Sequence, residues 1–158
     1  MYFRKVLILN LFVSLIMSQE QLGSDIDGEV AGDNSGGSVS LDSDGDRVAI
    51  AASSNDGGAD NAGHVRIYSW DGSSWSQLGS DIDGEAAGDY SGVSVSLDSD
   101  GDRVAIGGYF NDGSYSDAGH VRIYEYSGGT WSRLGSDIDG EAAGDQSGVS
   151  VSLDSDGD

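Results

Sequence analysis

A repeat of 56 residues constrains the fold of this chain more than any other feature of its sequence. Residues 22 to 77 and 78 to 133 differ at 17 of 56 positions, and residues 134 to 158 begin a third copy. Self-similarity at this period is typical of propellers, solenoids and arrays, in which each unit packs on its neighbours. The chain is therefore interpreted as about two and a half repeated units.

Each repeat contains four short segments whose apolar residues alternate with small or polar ones, the pattern of β-strands. In the first repeat these segments are "SVSL" at 38 to 41, "RVAIA" at 47 to 51, "HVRIY" at 64 to 68 and "WSQL" at 75 to 78. Turn-forming residues join them in sequence, which favours an antiparallel meander. We predict an all-β fold of tandem four-stranded antiparallel blades of a β-propeller, incomplete at about two and a half repeats.

The joint between the first two strands is the acidic stretch "LDSDGD", present at 41 to 46, 97 to 102 and 153 to 158. Its Asp-Gly pair predicts a tight hairpin turn in which both central residues take positive φ. Its alternating carboxylates also match the start of a calcium loop. The candidate calcium ligands are Asp42, Asp44, Asp46, Asp98, Asp100 and Asp102.

Calcium needs six to eight oxygen ligands, and the turn alone does not supply them. Counting from Asp42, the sixth and twelfth positions of an EF-hand loop are Arg47 and Ser53 instead of Gly and Glu. Three interpretations stay open: a hairpin turn with solvated charges, a weak or shared calcium site, and a general acidic surface adaptation. A shared site would draw on Asp25, Asp27, Glu29 and Asp33, or on their equivalents Asp81, Asp83, Glu85 and Asp89.

Charge narrows the range of partners. The chain carries 28 Asp and Glu against 7 Lys and Arg. Such a field repels nucleic acid and anionic membrane surfaces, so neither is expected as a partner. The chain has no cysteine, which excludes disulfide bonds and thiolate metal sites.

The N-terminus has the layout of a secretory signal. Arg4 and Lys5 precede an apolar run from 6 to 17, and Ser18 is a small residue before the expected cut. Twelve residues reach about 18 Å as a helix, less than the roughly 30 Å of a bilayer core. We predict a signal peptide at 1 to 18, a mature chain at 19 to 158 and a secreted or surface location, with an N-terminal anchor as the second choice.

The stretches "GDYSGVSVSLDSDGDRVAIGG" and "DAGHVRIYEYSGGTWSRLG" resemble the FG-GAP repeats of the integrin α-subunit head and of secreted microbial proteins. The resemblance covers residues 22 to 158. It implies a seven-bladed propeller that serves adhesion or ligand binding at the cell surface, often with calcium in the turn between the first two strands. It does not imply catalysis.

Catalytic motifs are not found in the sequence. His64 and His120 occupy the same position in two repeats, which indicates a structural role for both. No nucleophile motif, zinc-protease helix or phosphate-binding loop is present. We predict a non-catalytic interaction module. The alternatives are a lectin-like carbohydrate binder and a fragment of a secreted propeller hydrolase.

Variation between the two full repeats falls mainly in two loops, since eight differences lie between 51 and 61 and six between 69 and 77. In the second repeat the first of these loops gains Tyr109, Phe110 and Tyr115. Exposed aromatics can stack on a sugar or anchor a protein partner, and they can equally pack against a neighbouring blade.

Closure requires more blades than two and a half, because propellers have four to eight. We expect either that this chain is a fragment of a longer protein with further blades, or that it self-associates.

Overall fold

The computed structural model describes residues 20 to 157, and the predicted signal peptide lies outside them. The described residues form ten strands and no helix, which confirms the all-β prediction. The first five strands are β1 (Ser35–Leu41), β2 (Arg47–Ala52), β3 (His64–Trp70) and β4 (Trp75–Gln77) of the first repeat and β5 (Ile82–Asp83) at the start of the second. The next five are β6 (Ser94–Leu97), β7 (Arg103–Gly108), β8 (His120–Ser127) and β9 (Thr130–Arg133) of the second repeat and β10 (Ile138–Asp139) at the start of the third.

The strands form two antiparallel sheets of five strands each. In the first sheet β1, β2, β3 and β4 are neighbours in that order, and β5 also pairs with β3. The second sheet repeats this arrangement with β6 to β10. All four predicted strands of each full repeat are present. The short β5 and β10 lie in segments that were predicted as inter-repeat loops. They were not predicted as strands, because two residues are too few to show an alternating pattern.

The acidic turns differ from the predicted tight turn. Among their residues only the glycines have positive φ, with 72° at Gly45 and 65° at Gly101. The carboxylate of Asp42 accepts hydrogen bonds from the backbone N–H of Asp46 at 3.0 Å and of Arg47 at 3.2 Å. A side chain therefore closes a wider loop, and the expectation of positive φ at both central residues is wrong.

The hydrophobic core lies between the two sheets. The inner face of the first sheet contributes Ala49, Ala51, Val65, Ile67 and Ile82. The facing side of the second sheet contributes Val95, Leu97, Val104 and Ile106. All nine side chains are at least 92% buried, so the burial that stabilises either repeat depends on the other.

Serine hydroxyls join the two sheets at the edges of β1 and β6. The backbone N–H of Val95 donates to Ser38 Oγ at 3.1 Å, and that of Leu97 donates to Ser40 Oγ at 2.9 Å. These edge N–H groups thereby gain partners between the sheets, which an apolar residue at 38 or 40 would not supply.

Close backbone contact also joins the repeats at two glycines. A Cβ on Gly63 would lie 2.2 Å from the carbonyl oxygen of Ser91, and one on Gly119 would lie 2.3 Å from that of Ser147. Both glycines also have positive φ. A larger residue at either position would separate the segments that meet there.

Residues 150 to 153, the third "SVSL", form no strand. In the earlier repeats this segment pairs with a following "RVAI" strand, and residues 154 to 157 contain none. The segment is nonetheless held in place, because the backbone N–H of Leu153 donates to Ser96 Oγ at 3.0 Å. It therefore lies in a position equivalent to that of β1 and β6 but lacks their antiparallel strand pairing.

Equivalent leucines test how far stability depends on the junction. Leu97 is 6% exposed and Leu41, its equivalent in the first repeat, is 59% exposed. We expect Leu97→Ala to lower the free energy of unfolding by about 2 to 5 kcal/mol. Leu41→Ala should lower it by about 0.5 kcal/mol or less. Chemical denaturation at low protein concentration measures both, and equal losses would contradict a core confined to the junction.

Candidate functional site

A polar cluster at the start of β8 centres on Arg122, which is 8% exposed. Its Nε donates to Asp137 Oδ1 at 3.0 Å and its Nη2 to Asp137 Oδ2 at 2.7 Å, a bidentate pair. The same Nη2 donates to Glu85, which comes from the segment between the repeats. Glu85 also accepts a hydrogen bond from Asn111 at 3.1 Å.

The pKa values in this cluster reflect the ion pairs that Arg122 forms with Glu85 and Asp137. The hydrogen bond from Arg122 lowers the pKa of Glu85 below its ordinary value, against the opposing effect of burial. The same cause lowers the pKa of Asp137. Asp137 and then Glu85 in turn raise the pKa of Arg122. All three groups are therefore charged at neutral pH.

Histidines adjoin the arginine in both repeats. Ligand atoms of Glu85, His120 and Asp137 lie within 4.8 Å of one another, as do those of Glu29, His64 and Asp81. Burial, and then the charge of Arg122, lowers the pKa of His120. A neutral imidazole with two carboxylates is a chemically suitable donor set for a divalent cation.

Arginine already pairs with three of the four carboxylates of these sets. Both carboxylates beside His120 bind Arg122, and Glu29 lies 3.5 Å from Arg66. A metal ion would meet a guanidinium at its own ligands and would have to displace it. The clusters are best explained as internal ion pairs with one arginine in each repeat. The sequence analysis missed this, because the partners are up to 37 residues apart.

Residues of two consecutive acidic turns line an open groove of about 380 Å³. Among the described residues, no three carboxylates of these turns have ligand atoms within 4.8 Å of one another. Asp42, Asp44 and Asp46 line it from one turn and Asp100 from the next, with Arg47 between them. The pKa of Asp46 is raised, first by its hydrogen bond with Asp42, then by burial and by the charges of Asp42 and Asp44. The groove is thus rich in negative charge.

The remaining predicted calcium ligands, Asp98 and Asp102, accept hydrogen bonds that stabilise the second acidic turn. Asp98 accepts a hydrogen bond from the backbone N–H of Arg103 at 3.1 Å, and the carbonyl oxygen of Asp102 accepts one from Tyr126. Ser43 N–H and Oγ both donate to the carbonyl oxygen of Ser99, and Ser99 bonds Ser155 in the same way. The three turns are therefore stacked.

The inter-repeat carboxylates lie away from these turns. Asp83 pairs with His64 at the first residue of β3, whereas the carbonyl oxygen of Asp46 accepts a hydrogen bond from Trp70, its last residue. Asp33 and Asp89 are buried and accept hydrogen bonds from Asn55 and Asn111. The structure does not bring the two groups together as one shared site.

Two of the three predicted aromatic residues lie together. The ring centroids of Tyr109 and Phe110 are 4.0 Å apart. Tyr90 joins them, with its centroid 5.8 Å from that of Phe110 and 6.2 Å from that of Tyr109. All three rings are partly exposed. We call Tyr90, Tyr109 and Phe110 the aromatic cluster.

Tyr115 is the most exposed of the predicted aromatic residues, at 56%, and has no ring contact among the described residues. Tyr90 was missed in the sequence analysis, because it lies in another segment and only the fold brings it to the loop. One signal was present in the sequence, since the same position is Asn34 in the first repeat and Gln146 in the third.

Comparison with known proteins identifies no relative: no protein family matches the chain, and no curated protein is significantly similar to it. Between residues 20 and 157 there is no helix of the length and apolar character needed to cross a membrane.

Acid should selectively weaken the Arg122 cluster. Folded-state pKa values of Glu85 and Asp137 lie below their ordinary values of 4.5 and 3.8. Their stabilisation is therefore present above about pH 4.5 and is lost as the pH falls through the folded-state values. We expect the thermal midpoint to fall by several degrees between pH 5 and 3.

Variants of the two equivalent glutamates test this assignment. Glu85→Gln should reduce the drop in midpoint on acidification. Glu29→Gln should leave it close to wild type, because its contact with Arg66 is longer. Scanning calorimetry across this pH range measures both, and identical profiles for the two variants would refute the role given to Arg122.

Proposed function

We propose that this chain is an exported, non-catalytic interaction module built from FG-GAP-like propeller blades. The observation that carries the proposal is the aromatic cluster, partly exposed on loops at the end of a sheet. Two of its three residues, Tyr109 and Phe110, lie in a loop where the two repeats differ most, while strands and acidic turns are nearly constant. Variable loops on a constant scaffold are the usual place for binding residues.

Aromatic rings suit binding because they offer a large contact area with few rotatable bonds. The Tyr109 and Phe110 rings contact each other, so each restricts the motion of its neighbour. A surface ordered before the partner arrives loses less entropy on binding. The proposed partner is a protein or carbohydrate at the cell surface, with a lectin-like role as the alternative.

A fragment of a secreted hydrolase is the candidate from another class, and it is less well supported. Both histidines are buried, at 2% and 3% exposure, beside an arginine that already binds nearby carboxylates. Buried histidines in that setting are poorly placed to exchange protons with a substrate.

Loss of the cluster should abolish selective binding. We expect Tyr109→Ser and Phe110→Ser to weaken binding to a partner found on a glycan array or cell-surface panel by at least about tenfold, or about 1.4 kcal/mol. Ser114→Ala, in the same loop, is the control and should bind normally. Tyr115→Ser tests whether the separate exposed ring contributes. Unchanged binding by all the aromatic variants would remove this proposal.

We further propose that calcium binds weakly in the groove between consecutive turns. The raised pKa of Asp46 supports this, because it indicates crowded negative charge at Asp42 and Asp44. Asp100 faces the same groove and can add an oxygen ligand. Arg47 lies nearby and reduces the negative potential, which agrees with weak binding.

Calcium should raise the thermal midpoint at micromolar to millimolar concentrations, and magnesium should not. Asp44→Asn combined with Asp100→Asn should remove the shift. Asp71→Asn, in a different turn whose carboxylate already accepts hydrogen bonds from Ser73 and Ser74, is the control and should retain it. A midpoint insensitive to calcium would exclude the site and leave the turns with solvated charges.

A further inference from the structure

A small cavity of the same construction occurs in each of the two full repeats. The first cavity has a volume of about 320 Å³ and the second cavity about 310 Å³, which is near the lower limit for small-ligand pockets. The second is lined by residues 80 to 83, Tyr124, Thr130 and Trp131. Each of these has its equivalent, 56 residues earlier, in the wall of the first.

The second cavity lies beside a junction at which the neighbouring sheet is in place. Ile82 and Asp83 form β5 and pair with β3 of the first sheet, and Ile82 is only 6% exposed. Tyr124 packs against the core between the two sheets. The rim of the cavity is nonetheless accessible to solvent, because Asp83 and Thr130 are exposed. The cavity is therefore a property of the contact between two repeats.

A tryptophan anchors one wall of each cavity. Trp131 Nε1 donates to the carbonyl oxygen of Leu78 at 2.7 Å, and Trp75 Nε1 donates to that of Leu22 at 3.1 Å. The Trp131 ring also lies against Gly79, where a Cβ would be 2.9 Å from it. The segment that carries the cavity's carboxylates is thus fixed directly before them. A cavity formed in advance loses less entropy when a ligand binds.

The wall residues are the same in both repeats, although the loop beside them varies. Six of the nine positions from 69 to 77 differ in the second repeat, yet Trp75 corresponds to another tryptophan, Trp131. Tyr68 likewise corresponds to Tyr124, and the segment "LGSDIDG" is identical in the two repeats. The variation between the repeats therefore leaves the aromatic and acidic walls of the cavity unchanged.

Two carboxylates give each cavity a negative charge. Asp81 and Asp83 line the second cavity, as Asp25 and Asp27 line the first. Among the described residues, no Lys or Arg lines either cavity. Asp83 is exposed, and in the part of the chain that the structure describes its carboxylate accepts no hydrogen bond. Its oxygens are available to a donor from a ligand.

Arginines near the tyrosine do not reverse this charge. Burial raises the pKa of Tyr124, and the charges of Arg122 and Arg133 oppose that rise. Both arginines are paired with Asp137, and Arg122 is paired with Glu85 as well. Two guanidiniums thus face two carboxylates, so the net charge at the second cavity comes from its own wall. An anionic ligand is disfavoured there and a cation is attracted.

Aromatic rings add a second attraction for a cation. Tyr124 and Trp131 border the second cavity, and Tyr68 and Trp75 border the first. The face of such a ring attracts positive charge, and the Arg66 guanidinium already lies 5.8 Å from the centre of the Tyr68 ring. Carboxylates accept strong hydrogen bonds from charged N–H groups. An ammonium group on a short apolar chain satisfies both kinds of wall.

We propose that each cavity binds a small alkylammonium ion. Its N–H groups donate to the carboxylate of Asp83, or of Asp27 in the first cavity, and its alkyl chain packs on the tyrosine and tryptophan rings. A neutral sugar could contact the same rings but would leave the charge of the two carboxylates uncompensated. The cavities share no residue with the aromatic cluster, so this proposal goes beyond the interaction surface proposed above and is tested separately from it.

Tryptophan indole groups report on the two cavities separately, because Trp75 borders the first and Trp131 the second. The full chain is expressed for export from its complete sequence with ¹⁵N label, and the indole N–H signals are followed by NMR during titration with butylammonium chloride. Both signals should shift and saturate. Sodium chloride at equal concentration and methyl glucoside should cause no saturable shift.

Substitution of one carboxylate at a time tests the assignment. Asp83→Asn should weaken butylammonium binding at Trp131 at least about fivefold and leave binding at Trp75 unchanged. Asp27→Asn should have the reverse effect, so each variant is the matched control of the other. Asp60→Asn removes the same charge from an exposed position outside both cavities and should leave both signals as in wild type.

Three results would overturn the proposal. The first is the absence of a saturable shift with butylammonium in the folded wild type. The second is a response to sodium equal to the response to butylammonium, which indicates a general attraction of counterions. The third is saturation by methyl glucoside alone, which indicates a site for neutral sugars. Thermal unfolding confirms that each variant is folded.

Discussion

The packing of one sheet on the next is the interaction on which the rest of this structure depends. The nine buried residues of the core come from two sheets, and neither repeat has a core of its own within residues 20 to 157. A sheet of five short strands exposes two faces, and here a face is buried when a further repeat covers it. The different exposure of equivalent side chains, such as Val39 and Val95, shows that position along the array decides burial.

Polar groups at the junction follow from the same constraint. Bringing the sheets together also brings the backbone edges of β1 and β6 together, and their N–H groups need acceptors. Ser38 and Ser40 supply them. The arginine clusters meet a similar requirement for polar partners, because each buried guanidinium beside the sheets needs carboxylates within hydrogen-bonding distance. Glu85 and Asp137 of the inter-repeat segments therefore have internal partners, despite the large excess of negative charge.

The strands of the full repeats could be predicted from the sequence because alternation is local and each strand was seen twice. Contacts between segments could not be predicted in this way. The pairing of Arg122 with Glu85 and Asp137, and the arrival of Tyr90 beside Phe110, depend on which segments the sheets bring together. Nothing in the "SVSL" pattern indicated that the serine hydroxyls accept hydrogen bonds from the neighbouring repeat. The acidic turn was placed correctly, but its closure by the Asp42 side chain was not foreseen.

The glycines at which the backbones of neighbouring repeats make close contact also affect how the sequence of such a chain can evolve. Gly63 and Gly119 each admit a carbonyl oxygen of the following unit at a distance that no side chain would allow. Duplication of the whole 56-residue unit carries its glycine and the facing segment along together, so a new junction arises already fitted. A substitution at one such glycine affects one junction and has no compensating change elsewhere. Growth by copying is thus easier than divergence at the contacts, while most positions at 51 to 61 and 69 to 77 differ between the two full repeats.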